Sequence, residues 1–570
     1  MKTMKALLLL FSSQSVLAWS PFSTVLSPES KTSFNKSGTL DKVQRIQKEK
    51  EMEARSRHKN DVFNALFVSV PERPEPTLIH DVGSRPKDFP PGALLRLGPN
   101  GATKEEGFLD GDGLLHCVTI PPNPDAPLIY SSAYIETEGR KLEKEKNGRF
   151  VGSLGAAPDG FPLLAAVVKN MIKFQMGTKD TCNTALAEHG GRILSLMEQA
   201  PPSEIEIRRD GSIKTVKAKT NLDGGIPAND PITGGTFSAH GKTCPDTGDR
   251  IHVSYSCSAP PFARVDIFEE GWKLKKTIPV HDLPCPVMIH DCAITKNYAM
   301  ILDFPLTLRP LRMLKNRFPV EYEPENGARI GLVPRNGDGK TQWFDCKPGI
   351  ILHTVNAYET SDDKVVLHAL RSEPTGEGSY ITTYTTSFLY EWVLDIKTGK
   401  VISEECLNPE ELVEFPIIDD RFTSNVAEAC YAVGVLSIGG PLKGYKNPGE
   451  GLLLNRVVKF ALTDNQVTGR KKGDVIGRFT LPKDWYGVTE PTIVPKEGDG
   501  KGSVYMIVTA TKVPDIVPSE NCIANKNVLD SRVFVVDGDN LDSGAVWEFD
   551  LPYHLPYGLH SAFLDWDKMK

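Results

Sequence analysis

Four of the twelve histidines share one setting. His240 in "TFSAHGKTCPDTGDRIHVSYS", His290 in "MIHDCAITKNYAMILDFPL" and His353 in "GIILHTVNAYETSDDKVVLHAL" each end a short apolar approach. A turn follows, and a returning strand begins roughly eight to twelve residues later, the usual spacing of turn-linked strands. His560 in "LPYHLPYGLHSAFL" closes the chain in similar surroundings. One such residue would read as a core histidine. Four, each at the mouth of a separate β unit, point to convergence on one axis. Six others have plainer settings: His58 in a charged tail, His80 in a Pro-rich loop, His252 and His368 within strands, His281 and His554 in Pro-containing loops.

Converging neutral imidazoles suit Fe, Zn, Cu or Ni. Structural zinc more often recruits Cys, and catalytic zinc usually keeps three protein ligands plus water. Four His on a six-coordinate Fe(II) would leave two positions open for O₂ or a substrate, and the absence of a carboxylate ligand leaves the metal its full charge. Such imidazoles need the second ring nitrogen anchored, commonly by a carboxylate or a backbone carbonyl. Three acids have the right surroundings, flanked by apolar and turn residues rather than by other charges: Glu198 in "LSLMEQAPP", Glu414 in "LVEFPIID" and Glu490 in "YGVTEPTIVP". Asp291, beside His290, is expected to hold the backbone of its turn rather than a metal.

The elements that must position these residues are strands. From about Val62 onward, short apolar or alternating runs recur, among them "RIHVSYS", "YAMILDF", "KVVLHAL", "YEWVLDI", "SVYMIVTAT" and "SRVFVVD", with "PDTGDR", "TSDD", "DIKTGK" and "DGDN" as turns between them. The 48 Gly and 43 Pro of 570 residues suit many turns. An all-β fold follows, a sandwich, a barrel or a propeller, with no crisp repeat to mark blades. The exception is Gly160–Gly177, "GFPLLAAVVKNMIKFQMG", whose apolar residues surround Lys169 and Lys173 one helical turn apart. It reads either as a packed core helix or as a helix lying in a membrane interface with Leu164, Val168 and Met171 in the lipid and its lysines at the headgroups.

Composition excludes other classes. The net charge of −7, from 66 basic and 73 acidic residues, offers no basic excess for nucleic acid. No internal run reaches the roughly 18 apolar residues of a membrane span. The ten Cys are scattered singly and read as thiols. At the N-terminus, Lys2 and Lys5 precede the apolar run Ala6–Phe11, and Val16-Leu17-Ala18 offers a small-residue cleavage site, so residues 1–18 read as a signal peptide. Trp19-Ser20-Pro21-Phe22 then opens a Ser/Thr/Lys-rich tail that runs on through a charged segment, Asp41–Lys59, to residue 60. This bipartite pattern resembles the plastid-targeting presequences of diatoms and related algae. Plain secretion or retention in the ER lumen is the alternative. Residues 61–570 form the folded domain.

Together these segments resemble the carotenoid cleavage oxygenases, a family that includes plant nine-cis-epoxycarotenoid dioxygenases and the animal retinoid isomerohydrolase. The family's early motif appears as "LRLGPNGATKEEGFLDGDGLLH" (Leu95–His116), its His-Asp element as the His290 stretch, and "H-x-x-N-A-Y-E" as His353–Glu359. "EFP" and the closing "P-Y-G-x-H" follow in family order, so the likeness runs from about Pro91 to the C-terminus. The resemblance implies a seven-bladed β-propeller with Fe(2+) on its axis under a helical cap. It implies His240, His290, His353 and His560 as iron ligands, and Glu198, Glu414 and Glu490 as the carboxylates behind them. It further implies a dioxygenase that uses O₂ to split one conjugated C=C bond of a carotenoid or apocarotenoid into two carbonyl products. A redox-neutral polyene isomerase on the same scaffold and a non-catalytic carotenoid-binding protein are the alternatives. Gly160–Gly177 lies where relatives place membrane-contacting helices, which favours its interface reading. Two positions depart from the family pattern: Gly241 stands where Pro often follows the first ligand, and Leu352 where Phe often precedes the third.

Overall fold

The computed structural model describes residues 57–80, 82–101, 108–151, 160–198, 200–226, 236–374, 378–379, 387–438, 452–498, 502–519, 523 and 528–570. The presequence expected over 1–18 and most of the tail expected over 19–60 lie outside them.

Strands dominate, and they run as meanders. The first sheet has the order Arg73–Ile79, Leu128–Tyr134, Asp112–Ile120, Gly92–Asn100, Ser561–Asp565. The second holds Ala185–His189, Arg192–Leu196, Ser203–Ile207 and Ile213–Lys217. The third runs Lys273–Val280, Ala263–Glu269, Arg250–Tyr255, Gly241–Thr243, and the fourth Ala293–Ile294, Tyr298–Asp303, Ala328–Pro334, Gln342–Cys346. A continuous twelve-stranded sheet, from Thr354–Glu359 to Ala545–Leu551, supplies the remaining three blades of a seven-bladed propeller. The first sheet closes the ring. Its strand Gly92–Asn100 pairs antiparallel with Ser561–Asp565, Arg96 opposite Ser561 and Ala93 opposite Leu564, so the two ends of the folded chain share one blade.

Burial follows position in the blade. Outer strands such as Ala545–Leu551 alternate between buried and exposed residues, with one face toward water. Asp112–Ile120 and Val504–Lys512 are buried almost throughout, because both faces are covered by neighbouring blades. The runs without alternation in the sequence are these doubly covered strands.

Three α-helices are described. Helix α1 (Arg57–Leu66) straddles the expected boundary at 60/61 and sends Val62, Phe63, Ala65 and Leu66 into the largest core cluster. Its end packs on the chain terminus: Tyr557 donates its N–H to the Leu66 carbonyl, and the Phe67 and Tyr557 rings stack at 4.6 Å. Helix α2 (Glu138–Glu145) is capped by Thr137, whose hydroxyl accepts from the Arg140 N–H. It packs against helix α3 (Gly160–Phe174), the expected helix of 160–177.

Helix α3 is two-sided. Leu163, Ala166, Asn170, Met171 and Phe174 are buried, and Gly160 sits against Met313 and Arg317 so closely that a Cβ would meet backbone atoms. Phe161 and Ile172 are 55% and 73% exposed, flanked by exposed Lys169 and Lys173. This corrects two of the three expected lipid-facing residues: Met171 belongs to the packed face and Leu164 lies against the neighbouring core, while Val168 is half-buried, and the exposed large apolar side chains of the helix are Phe161 and Ile172. The 100° step between helical residues puts Met171 and Ile172 on different faces. Among the described residues, no helix is long and apolar enough to cross a membrane.

Candidate metal centre

Each of the four histidines directly precedes, or stands three residues before, a strand that ends its sheet: Gly241–Thr243, Ala293–Ile294, Thr354–Glu359 and Ser561–Asp565. The carboxylates come from elsewhere: Glu198 follows Arg192–Leu196, Glu414 lies in the long strand Lys400–Ile417, and Glu490 stands just before Thr492–Pro495.

The four imidazoles meet. One ring nitrogen from each lies within 4.8 Å of the others. His240 and His290 face each other Nε2 to Nε2 at 3.1 Å, and ring centroids are 4.5 Å apart for His240 and His560 and 5.1 Å for His290 and His353. Nε2 of His353 is buried with no hydrogen-bond partner. Buried polar atoms are normally paired, so inward-facing nitrogens sharing one small volume are a donor set fitted to a metal ion.

Three carboxylates fix the outer ring nitrogens. Glu198 takes His290 Nδ1, Glu414 takes His353 Nδ1 at 2.8 Å, and Glu490 takes His560 Nδ1 at 2.8 Å. With the proton held on Nδ1, the Nε2 lone pair points to the axis. Each glutamate is itself tied down. Tyr255 donates its hydroxyl to Glu198, the Phe415 N–H donates to Glu414 at 2.7 Å, and the Ser561 N–H donates to Glu490 at 2.8 Å. Tyr255 and Ser561 were not singled out in the sequence. Tyr255 ends the recognised strand "RIHVSYS", and only its partner across the blades gives it a role.

Charge follows this wiring. Burial, then the neighbouring imidazoles, push His240 well below the usual histidine range. Burial also lowers His353, against the opposing pull of Glu414. For His290 burial is outweighed by Glu198, which raises it, and Glu198 is lowered in turn despite its own burial. Asp291 stays out of the cluster, as expected. It accepts from the Cys292 N–H at 2.7 Å and from the Thr354 N–H and hydroxyl at 2.8 Å, and it pairs with Lys242 at 3.0 Å. Thr354 follows His353 in the chain, so Asp291 ties two histidine-bearing turns together.

An axial cavity of about 170 Å³ adjoins the imidazoles. Its lining includes the apolar Ile294, Val355 and Phe415 and the charged Lys242, Arg250 and Asp420. Phe415 holds a left-handed backbone, with φ of 49°, and its ring lies 5.5 Å from His560 and 5.7 Å from His353. His252 and His368 are fully buried within blades and do not join the cluster.

Residues 67–565 match the family model described as retinal pigment epithelial membrane protein. The carotenoid 9,10(9',10')-cleavage dioxygenase 1 of Arabidopsis thaliana is 27% identical over 499 residues, 84% of this chain and 85% of the relative. A chloroplastic 9-cis-epoxycarotenoid dioxygenase of Oryza sativa is 26% identical over 88% of this chain and 75% of its own. Among solved structures, a variant of the Synechocystis apocarotenoid oxygenase superposes with a TM-score of 0.67 at 21% identity, covering 89% of this chain and 99% of that one. The lignostilbene dioxygenase of Pseudomonas brassicacearum gives 0.66 at 20% identity, over 87% and 95%. These superpositions bear on the fold alone.

Proposed function

The chain belongs to the retinal pigment epithelial membrane protein family, the carotenoid cleavage oxygenases, and from that premise we propose that it is an Fe(2+)-dependent dioxygenase cleaving one conjugated C=C bond of a carotenoid or apocarotenoid. The observation that carries this reading is the shell of four histidines, three of them backed by a carboxylate on the outer nitrogen. The names of the relatives supply the reaction.

In this reading His240, His290, His353 and His560 hold the metal, and Glu198, Glu414 and Glu490 fix tautomer and ring orientation. A ferrous ion held by these residues would supply O₂ binding and redox chemistry. Since all four ligands are neutral, the ion would keep its full 2+ charge within the histidine shell, and the three glutamates behind the shell would supply the countercharge. Phe415, held across two of the imidazoles, limits the space beside them. Two carbonyl products arise from O₂ and an alkene with no net proton transfer, so no general acid or base is assigned.

The deciding experiment is to incubate the iron-loaded protein with a panel of carotenoids and apocarotenoids and weigh the products. Two shorter carbonyl compounds support cleavage. A product of equal mass would make the protein an isomerase, and tight binding without any product would make it a carrier.

Reaching a bilayer-dissolved substrate is assigned to helix α3. Phe161 and Ile172 supply exposed apolar surface beside two lysines able to stay at the headgroups. Changing Phe161 and Ile172 together to Ser is expected to reduce liposome binding and leave turnover of a detergent-dispersed apocarotenoid unchanged. Equal loss of both would remove the helix from this role. Delivery to a plastid through the presequence, 1–18 then 19–60, is supported by its composition and by chloroplastic relatives from rice and Arabidopsis.

A further inference from the structure

His240 differs from its three companions. No carboxylate accepts from its ring among the described residues, yet a ligand needs its orientation held as much as the others do. What surrounds it is a set of backbone and packing contacts. The Ser238 hydroxyl accepts from the His240 N–H at 3.1 Å and donates to the His240 carbonyl at 2.7 Å. The next residue, Gly241, lies opposite His252 in the strand ladder. A Cβ on Gly241 would stand 2.3 Å from Nε2 and 2.5 Å from Cε1 of His252, closer than real Cβ contacts come. The imidazole of His252 therefore fills the place of the side chain that residue 241 lacks.

That ring is itself immobilised. It stacks on Phe237 at 4.5 Å and lies 5.5 Å from Trp272, within a fully buried cluster. Arg250 completes the arrangement with one guanidinium: Nε donates to His252 Nε2 at 3.1 Å, Nη1 to the Thr243 hydroxyl at 3.1 Å, and Nη2 to the Gly241 carbonyl at 3.2 Å. Burial holds His252 far below the usual histidine range, so its ring stays a neutral acceptor for Arg250.

We propose that His252 and Arg250 are positioning residues for His240: the His252 ring packed on Gly241 and the Arg250 fork on the Gly241 carbonyl replace the carboxylate that orients each other histidine. Glycine after a ligand would otherwise leave the backbone loose at the point where orientation matters most. Here the freedom of residue 241 is taken up by a neighbour's ring, so positions 241 and 252 are matched. This inference rests on the reading of His240 as a metal ligand.

The test uses the full chain loaded with Co(II), following the visible d–d spectrum and the rate of Co(II) release to excess chelator. His252→Ala is expected to release cobalt roughly 10–100-fold faster, the usual cost of losing a ligand's outer support, with a shifted spectrum. Gly241→Ala alone is expected to be worse, because its methyl meets the His252 ring. The double variant Gly241→Ala/His252→Ala is expected to hold cobalt better than Gly241→Ala, since the new methyl enters vacated space. Should Gly241→Ala fail to fold, His252→Phe decides: release within a few-fold of the original protein supports the packing role, and release as fast as His252→Ala overturns it. A His252→Ala protein with a lowered unfolding midpoint when metal-free, but unchanged release rate and spectrum, would make His252 a core residue only and overturn the proposal. His240→Ala isolates the premise. Co(II) bound with the original spectrum in that variant would sink the metal reading itself, whatever His252 does.

Discussion

His368 and His353 invite comparison, because by every local measure they are alike. Both are buried, and both pair with a glutamate: His368 Nε2 with Glu391 at 3.0 Å, His353 Nδ1 with Glu414 at 2.8 Å. The difference is where the second nitrogen points and how the pair is joined. His368 and Glu391 are direct partners on adjacent strands, inside one blade wall, with Lys472 adding a cation to the same carboxylate. His353 stands at the mouth of its blade, and its Nε2 opens toward three other imidazoles. A buried His-Glu pair is thus no signature of a metal site. Convergence of the opposite nitrogens is.

The comparison breaks most sharply under truncation. Changing any one of His240, His290, His353 or His560 to Ala is expected to lower bound iron by more than ~100-fold in affinity, beyond the loss of an outer partner, and to abolish turnover with the fold intact. Metal analysis of the purified variants checks this, and a variant with full iron content would remove that residue from the shell. Chelating the metal from the unaltered protein should likewise stop turnover, and restoring Fe(2+) should return it.

The glutamates come next in size. Glu198→Gln, Glu414→Gln and Glu490→Gln are each expected to cost about 10–100-fold in metal affinity or activity, measured by iron titration and steady-state rates. Tyr255→Phe removes one donor from Glu198 and should cost less, on the order of 1 kcal/mol or about fivefold. A Tyr255→Phe effect as large as that of Glu198→Gln would mean that Tyr255 touches the reaction itself.

His368→Ala is the smallest case for the metal and completes the contrast. It should leave iron content and turnover unchanged. It should lower stability by ~2–4 kcal/mol through the cavity and the weakened satisfaction of Glu391, read from the unfolding midpoint. Loss of iron from this variant at constant fold would erase the distinction drawn between the two pairs.

The amino-acid sequence alone determined the local parts. The apolar approach, turn and returning strand around His240, His290 and His353 are encoded within about twenty residues each, since strand periodicity and turn chemistry act at short range. That made the all-β class, the four histidines and the three acids among apolar residues legible. Tertiary structure decided which of these meet. Glu198 serves His290, 92 positions away, and not His240, the nearest of the four in sequence. Among the described residues His240 has no carboxylate partner, and Tyr255 finds its partner in another blade. The packed face of helix α3 was also decided there. Met171 and Ile172 are equally apolar, and only the neighbouring Pro310–Lys315 turn and core determine which one is covered. These pairings depend on how seven blades close around an axis, and closure is set by the sum of all the sheets, which no local stretch of sequence contains.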